Sequence, residues 1–180
     1  TVDANDNVYL AGITDSPTAI ALGGYQNMYG GYNDAFLVKF NASGVRQWGT
    51  YYGGTSIDQG QACAVDDSDH VYLAGYTGSG TAIASGGQQN TAGGDLDAFL
   101  VKFSASGVRQ WGTYYGGAGG DAGYSCAVDH SDNVYLAGGT TSDSAIASQG
   151  HQNTLEGYAD AFLVKFNSSG VRQWGTYYGG

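Results

Sequence analysis

The residues best suited to chemistry in this chain are its aspartates. Among 16 acidic side chains only Glu156 is a glutamate. Asp without Glu fits two roles: ligation of calcium, which prefers oxygen donors, and capping of the backbone in tight turns. Asp34, Asp97 and Asp160 recur at one fixed spacing, and Asp58 and Asp121 recur at the same interval. Carboxylates brought together from separate loops would form a calcium site, and these five are its candidate ligands. No D-x-[DN]-x-[DN]-G loop is present. The competing expectation is that each Asp accepts hydrogen bonds from amides of its own glycine-rich turn.

The remaining reactive side chains point away from catalysis. His70, His130 and His151 have neither a neighbouring nucleophile nor the spacing of metal ligands, so no catalytic residue is expected and no cofactor is required. Tyr25 would suit stacking on a sugar ring, but Gln88 and His151 stand at the equivalent positions. Gln26 with Asn27, Gln89 with Asn90, and Gln152 with Asn153 do recur. Tyr25, His151 and these three pairs form the candidate ligand or partner face. Alternatively, the Gln-Asn pairs fix their loops by side-chain hydrogen bonds. Cys63 and Cys126 occupy one repeated position and are expected to be free thiols, since a disulfide needs Cα atoms within about 7 Å. Asp3, Asp66 and Asp129 lie near Lys39, Lys102 and Lys165 and are expected to pair with them, registering one repeat against the next.

Net charge sets the classes of partner. At −10 the chain repels polyanions, which excludes nucleic acid, whose binding depends on Lys and Arg contacts to phosphate, and disfavours anionic membrane surfaces. No apolar run approaches the roughly 20 residues of a membrane span, so no membrane insertion is expected. The Asn-Ala-Ser at Asn41 and Asn-Ser-Ser at Asn167 read as turn sequences.

These residues sit on a strict repeat. VYLAG starts at Val8, Val71 and Val134, DAFLVKF at Asp34, Asp97 and Asp160, and WGTYYGG at Trp48, Trp111 and Trp174, always 63 residues apart. The units are 1–54, 55–117 and 118–180; the first lacks the nine residues that later units carry at 55–63 and 118–126. The chain opens on Thr1 rather than Met and is expected to be a mature or excised segment. Such repetition indicates a modular array.

Each unit reads as four strands, at 61–66, 70–77, 97–103 and 108–115 in the second, and no stretch supports a helix. The third strand is apolar at almost every position, which implies a sheet covered on both faces. Alternating strand directions place the long loops 15–33, 78–96 and 141–159 at one end with Asp58 and Asp121. Long loops on a rigid scaffold are the usual carriers of binding.

The segments Asp66 to Gly75, Gln89-Asn90, Asp97 to Phe103 and Gly107 to Gly117, with their equivalents, resemble the bacterial SBBP repeat of seven-bladed β-propellers. The resemblance covers the whole chain three times. It implies an all-β propeller of three four-stranded antiparallel blades, the first short of its inner strand, in a secreted or surface protein, and it implies no activity. Three blades do not close a ring, since propellers have about four to eight. Further repeats or further copies of the chain are therefore expected partners. The expected function is a non-catalytic extracellular scaffold. A calcium-dependent or glycan-binding adhesive module, with an extracellular protein or glycan as partner, stays open as an alternative. So does a propeller enzyme whose catalytic parts lie outside this segment.

Overall fold

The computed structural model describes residues 1–180. It is all-β, with three antiparallel sheets and no helix. The first sheet contains β1 (Val8–Thr14), β2 (Asp34–Phe40) and β3 (Arg46–Tyr52). The second contains β4 (Asp58–Val65), β5 (Val71–Thr77), β6 (Asp97–Phe103) and β7 (Arg109–Tyr115). The third contains β8 (Asp121–Val128), β9 (Val134–Thr140), β10 (Asp160–Phe166) and β11 (Arg172–Tyr178). Neighbours in sequence are neighbours in space within every sheet.

The first strand of each complete unit begins three residues earlier than the sequence suggests. Asp58 already pairs with Thr77, and a register shift between Gly60 and Ala62 lets both halves of β4 follow β5. A bulge of this kind adds a residue while keeping the ladder. The β4–β5 turn is held by Asp66, whose Oδ1 accepts from the amides of Ser68 (3.0 Å) and His70 (2.8 Å). Asp69 takes the left-handed conformation there, with φ of 62°, which Asp tolerates better than most residues. Asn41 caps the β2–β3 turn in the same way, accepting from Ser43 and Val45, and Asn167 does so at β10–β11.

The long loops do not simply cap one end. Their middle segments turn back along the outer edge of each sheet: Leu22 and Gly49 exchange backbone hydrogen bonds of 2.8 and 3.0 Å, and Tyr51 donates to Gln26. The same pairing joins Ser85 to Gly112 and Ser148 to Gly175. The loop thereby covers an edge strand that would otherwise present unpaired amides. Ile83 and Ile146, carried by these loops, are fully buried between sheets.

Two cores lie between adjacent sheets. In one, Tyr9, Leu37, Trp48 and Tyr52 pack against Leu73, Phe99, Val101 and Phe103. In the other, Tyr72, Leu100, Trp111 and Tyr115 pack against Leu136, Phe162, Val164 and Phe166. Tyr52 with Phe99 and Tyr115 with Phe162 have the same 5.3 Å ring separation. Each buried apolar side chain stabilises the stack by about 1.5–3 kcal/mol. The central sheet is covered on both faces, so β6 is buried at every position, whereas β10 alternates between buried and exposed. Glycine sets the spacing on the first-strand side. A methyl at Gly60 would lie 2.8 Å from the Gly12 carbonyl oxygen, and one at Gly123 would lie 2.9 Å from that of Gly75.

Candidate functional site

The first candidate locus is a pair of buried carboxylates between adjacent sheets, at the end that carries the long loops. Asp34 and Asp58 are both fully buried, and face each other across Gly53, where a methyl would lie 2.8 Å from Asp34 Oδ1 and 2.7 Å from Asp58 Oδ2. Asp97 and Asp121 hold the same relation across Gly116. Only glycine lets both acids approach the chain so closely.

The members of each pair are satisfied unequally. Asp58 accepts at Oδ1 from the Thr77 hydroxyl, and at Oδ2 from the Ser79 hydroxyl and the Gly54 amide, both at 2.8 Å. Asp121 repeats this with Thr140, Ser142 and Gly117. Asp34 Oδ2 accepts from Gln26 and Gly30, and Asp160 Oδ2 from Gln152 and Glu156. Oδ1 of Asp34 and Oδ1 of Asp160 are buried with no partner. Burial, then the like charge opposite, pushes the Asp97 carboxyl up to about 6 despite the amides of Gly94 and Gly93. Burial also raises Asp34 and Asp58.

No group of three His, Cys, Asp or Glu side chains is arranged around a common centre. Asp34 meets Asp58 and Asp97 meets Asp121, whereas Asp160 has no second carboxylate across Gly179. The hydroxyls that complete this locus went unnoticed in the sequence. Their signal is a T-x-S motif closing each second strand: Thr14 with Ser16, Thr77 with Ser79 and Thr140 with Ser142.

The second locus is the cleft between adjacent sheets under the Gln-Asn loops. One cleft, of about 550 Å³, is lined by Gln89, Asn90, Gly116, Tyr115 and Arg172. Its counterpart, of about 460 Å³, is lined by Tyr25, Gln26, Tyr29 and Gly53. The Gln side chains are engaged within the loop: Gln26 donates to Met28 and Asp34 and accepts from Gly53. Gln89 and Gln152 accept from Gly116 and Gly179. Asn27, Asn90 and Asn153 donate to the carbonyls of Gly24, Gly87 and Gly150. Tyr25 lies 4.4 Å from the Arg109 guanidinium of the next sheet, a cation–π contact. His151 is exposed.

At the opposite end the charge pairs form within a sheet and do not register one repeat against the next. Lys39 reaches Asp3 (3.7 Å), Lys102 reaches Asp66 (3.4 Å) and Lys165 reaches Asp129 (3.7 Å). The reason is local: in each unit the second strand's tyrosine and the third strand's lysine are register partners, Tyr72 with Lys102, and both reach the Asp that caps the adjacent turn. Burial alone would raise the Asp3 carboxyl, but hydrogen bonds from Asn7, Tyr9 and Asn5 hold it at about 2. A side-chain contact that does cross sheets joins His130 Nδ1 to Asp67 Oδ2, at 3.2 Å and exposed. Neutral hydrogen bonds also cross between sheets. Trp48 and Trp111 donate to the carbonyls of Ala105 and Ser168, and Tyr52 and Tyr115 to those of Ile83 and Ile146.

Cys63 and Cys126 carry free thiols on the first strands of successive sheets. Burial raises both, Cys126 to about 12. No protein-family model matches the chain, and no curated protein is significantly similar to it.

Proposed function

We propose that the three sheets are consecutive blades of a β-propeller of the SBBP-repeat kind, and that the chain is a non-catalytic extracellular scaffold. Its working surfaces are then the faces and loops of the stack. The observation that carries this reading is the repetition of one inter-sheet interface at a 63-residue interval. That interface narrows to glycine–backbone contact at the first strands and is filled by Trp and Tyr at the last. A wedge of this shape, repeated, sets sheets around an axis with first strands innermost. The recurring polar side chains support a structural role, because their hydrogen-bonding capacity is used inside the loops that carry them. The experiment is small-angle scattering of the 180-residue chain held monomeric. A curved fan with first strands on the inner radius is expected, and a straight parallel stack would refute the propeller.

A calcium-dependent adhesive module is the second reading, favoured by the unpartnered buried Oδ1 atoms of Asp34 and Asp160. Asp34 with Asp58 would hold the ion from two sides, and calcium would neutralise the pair. Millimolar calcium should then raise Tm and chelator should reverse the shift. An unchanged Tm in Asp34→Asn and wild type alike would dismiss it.

A further inference from the structure

The two end faces of the stack are apolar, and each is the missing half of the other. On the outer face of the first sheet Leu10 is 52% exposed and Val8 42%, whereas their equivalents Leu73 and Val71 are fully buried. On the outer face of the third sheet Leu163 is 37% exposed and Tyr178 73%, whereas Leu100 and Tyr115 are at 0% and 1%. The first sheet thus presents outward the face that the second and third sheets present to their predecessors. The third sheet presents the face that the first and second present to their successors. A groove of about 450 Å³ lined by Leu10, Ile20, Phe36, Phe40 and Gly44 marks the first of these surfaces.

We infer that these faces bind one another between copies: the third sheet of one chain docks on the first sheet of a second copy, head to tail. The inference rests on the scaffold reading above and names its partner. The two internal interfaces supply the template for the contacts. Tyr178 would donate to the Ile20 carbonyl of the second copy, as Tyr115 does to Ile146. Trp174 would donate to its Ala42 carbonyl, as Trp48 does to Ala105 at 2.9 Å. Gly44 carries an independent mark of the same join. A methyl at Gly107 or Gly170 would strike the indole of the preceding sheet, at 2.9 and 2.8 Å, whereas one at Gly44 meets nothing within 4 Å. The bare left-handed glycine is there without the tryptophan it accommodates elsewhere.

Such an interface is heterologous, joining two different patches. It buries apolar surface against the repulsion between chains of charge −10, so salt should strengthen it by screening. The first sheet has three strands where the others have four, so the join between copies buries less than the internal ones and will depend on concentration.

The test is sedimentation velocity of the 180-residue chain, from about 1 to 100 µM, a range that detects micromolar affinity, with Leu10→Asp and Leu163→Asp. Wild type should form species of two or more chains. Each variant alone should weaken association by at least about 100-fold, as expected for a charge placed in a buried apolar contact. An equimolar mixture of the two variants should give a 1:1 dimer and nothing larger, because one keeps an intact third sheet and the other an intact first sheet. If Leu163→Asp loses its strand signal in circular dichroism, Tyr178→Asp, at a highly exposed position, takes its place. A wild-type chain that is monomeric throughout the range overturns the inference. So does either variant keeping wild-type association, which marks a face joined to its own kind or not used. Scattering from the monomeric variants still reads the fan shape, so failure to dock and failure of the propeller reading are separate results.

Discussion

Trp111 donates its indole N–H to the Ser168 carbonyl at 3.0 Å and lays its ring over Gly170, where a methyl would meet it at 2.8 Å. Gly170 has φ of 77° and Gly44, its equivalent two units earlier, has φ of 75°. The backbones are alike, but only Gly170 lies beneath an indole. Gly44→Ala should therefore cost about 1–2 kcal/mol, the left-handed strain alone, and Gly170→Ala about 1–3 kcal/mol more, from overpacking. Urea denaturation in dilute solution measures both. Equal losses would mean that the indole gives way and that the glycine serves only the turn.

Asp66 offers a second comparison. Its carboxylate accepts from the amides of Ser68 and His70 and from the Tyr72 hydroxyl, and it pairs with Lys102, whose side chain is 8% exposed. Asp66→Ala leaves that ammonium without its partner and should cost about 3–5 kcal/mol, the usual result of breaking a buried pair from one side. Lys102→Met also breaks the pair from one side, but the Asp66 carboxylate keeps its donors Ser68, His70 and Tyr72, so a smaller loss of about 1–3 kcal/mol is expected. Thermal unfolding of the two variants ranks them, and an unchanged Tm in both would contradict the pairing.

What was legible in the sequence was whatever the repeat states three times. The strands at 97–103 and their copies were readable because DAFLVKF is apolar on both faces, although the copy at 160–166 is covered on one face only. Alternating strand directions put Asp34 and Asp58 at the same end. They did not convey that Thr77, Ser79 and the Gly54 amide already occupy Asp58, because hydroxyls in a glycine-rich stretch look like ordinary turn residues. The course of loop 15–33 along β3 was also hidden. Its pairing uses backbone groups of Leu22 and Gln26, and backbone pairing leaves no side-chain pattern to read. The charge pairs were placed between repeats when they form within one, since a 63-residue period cannot tell Lys102 with Asp66 from Lys102 with Asp129.

The thiols yield a chemical prediction. Burial, and then the neighbouring Cys63, pushes Cys126 up to about 12, so at about pH 8 the reactive thiolate is on the order of one part in 10⁴. Cys63 is raised as well, by burial. Iodoacetamide should leave the folded chain essentially unmodified over a period in which the urea-unfolded chain reacts completely. Mass spectrometry of digested samples distinguishes the two sites. Cys126 is half-buried, so its prompt alkylation in the folded chain would show that the thiol ionises far more readily than a raised value allows.

The buried acids fix how stability should depend on pH. The folded-state value for Asp97, about 6, lies above its ordinary 3.8, so between these values the folded chain holds a proton that the unfolded chain has released. The contribution of this carboxyl is therefore full below about pH 4 and is lost as pH rises through 6. Asp34 and Asp58, also raised, act in the same direction. Asp3, Asp66 and Asp129 are lowered and act oppositely: their contribution is full above about pH 4 and is lost as pH falls through the folded values. The chain should be most stable near about pH 4–5 and lose a few kcal/mol on the way to about pH 7.5, with Asp97 accounting for up to about 3 kcal/mol of that. Asp97→Asn imitates the protonated acid, and its amide can donate toward Asp121. It should raise stability by about 1–3 kcal/mol near pH 7.5, have little effect near pH 4, and flatten the slope between them. Equal destabilisation at both values would mean that Asp97 is held charged by its glycine amides.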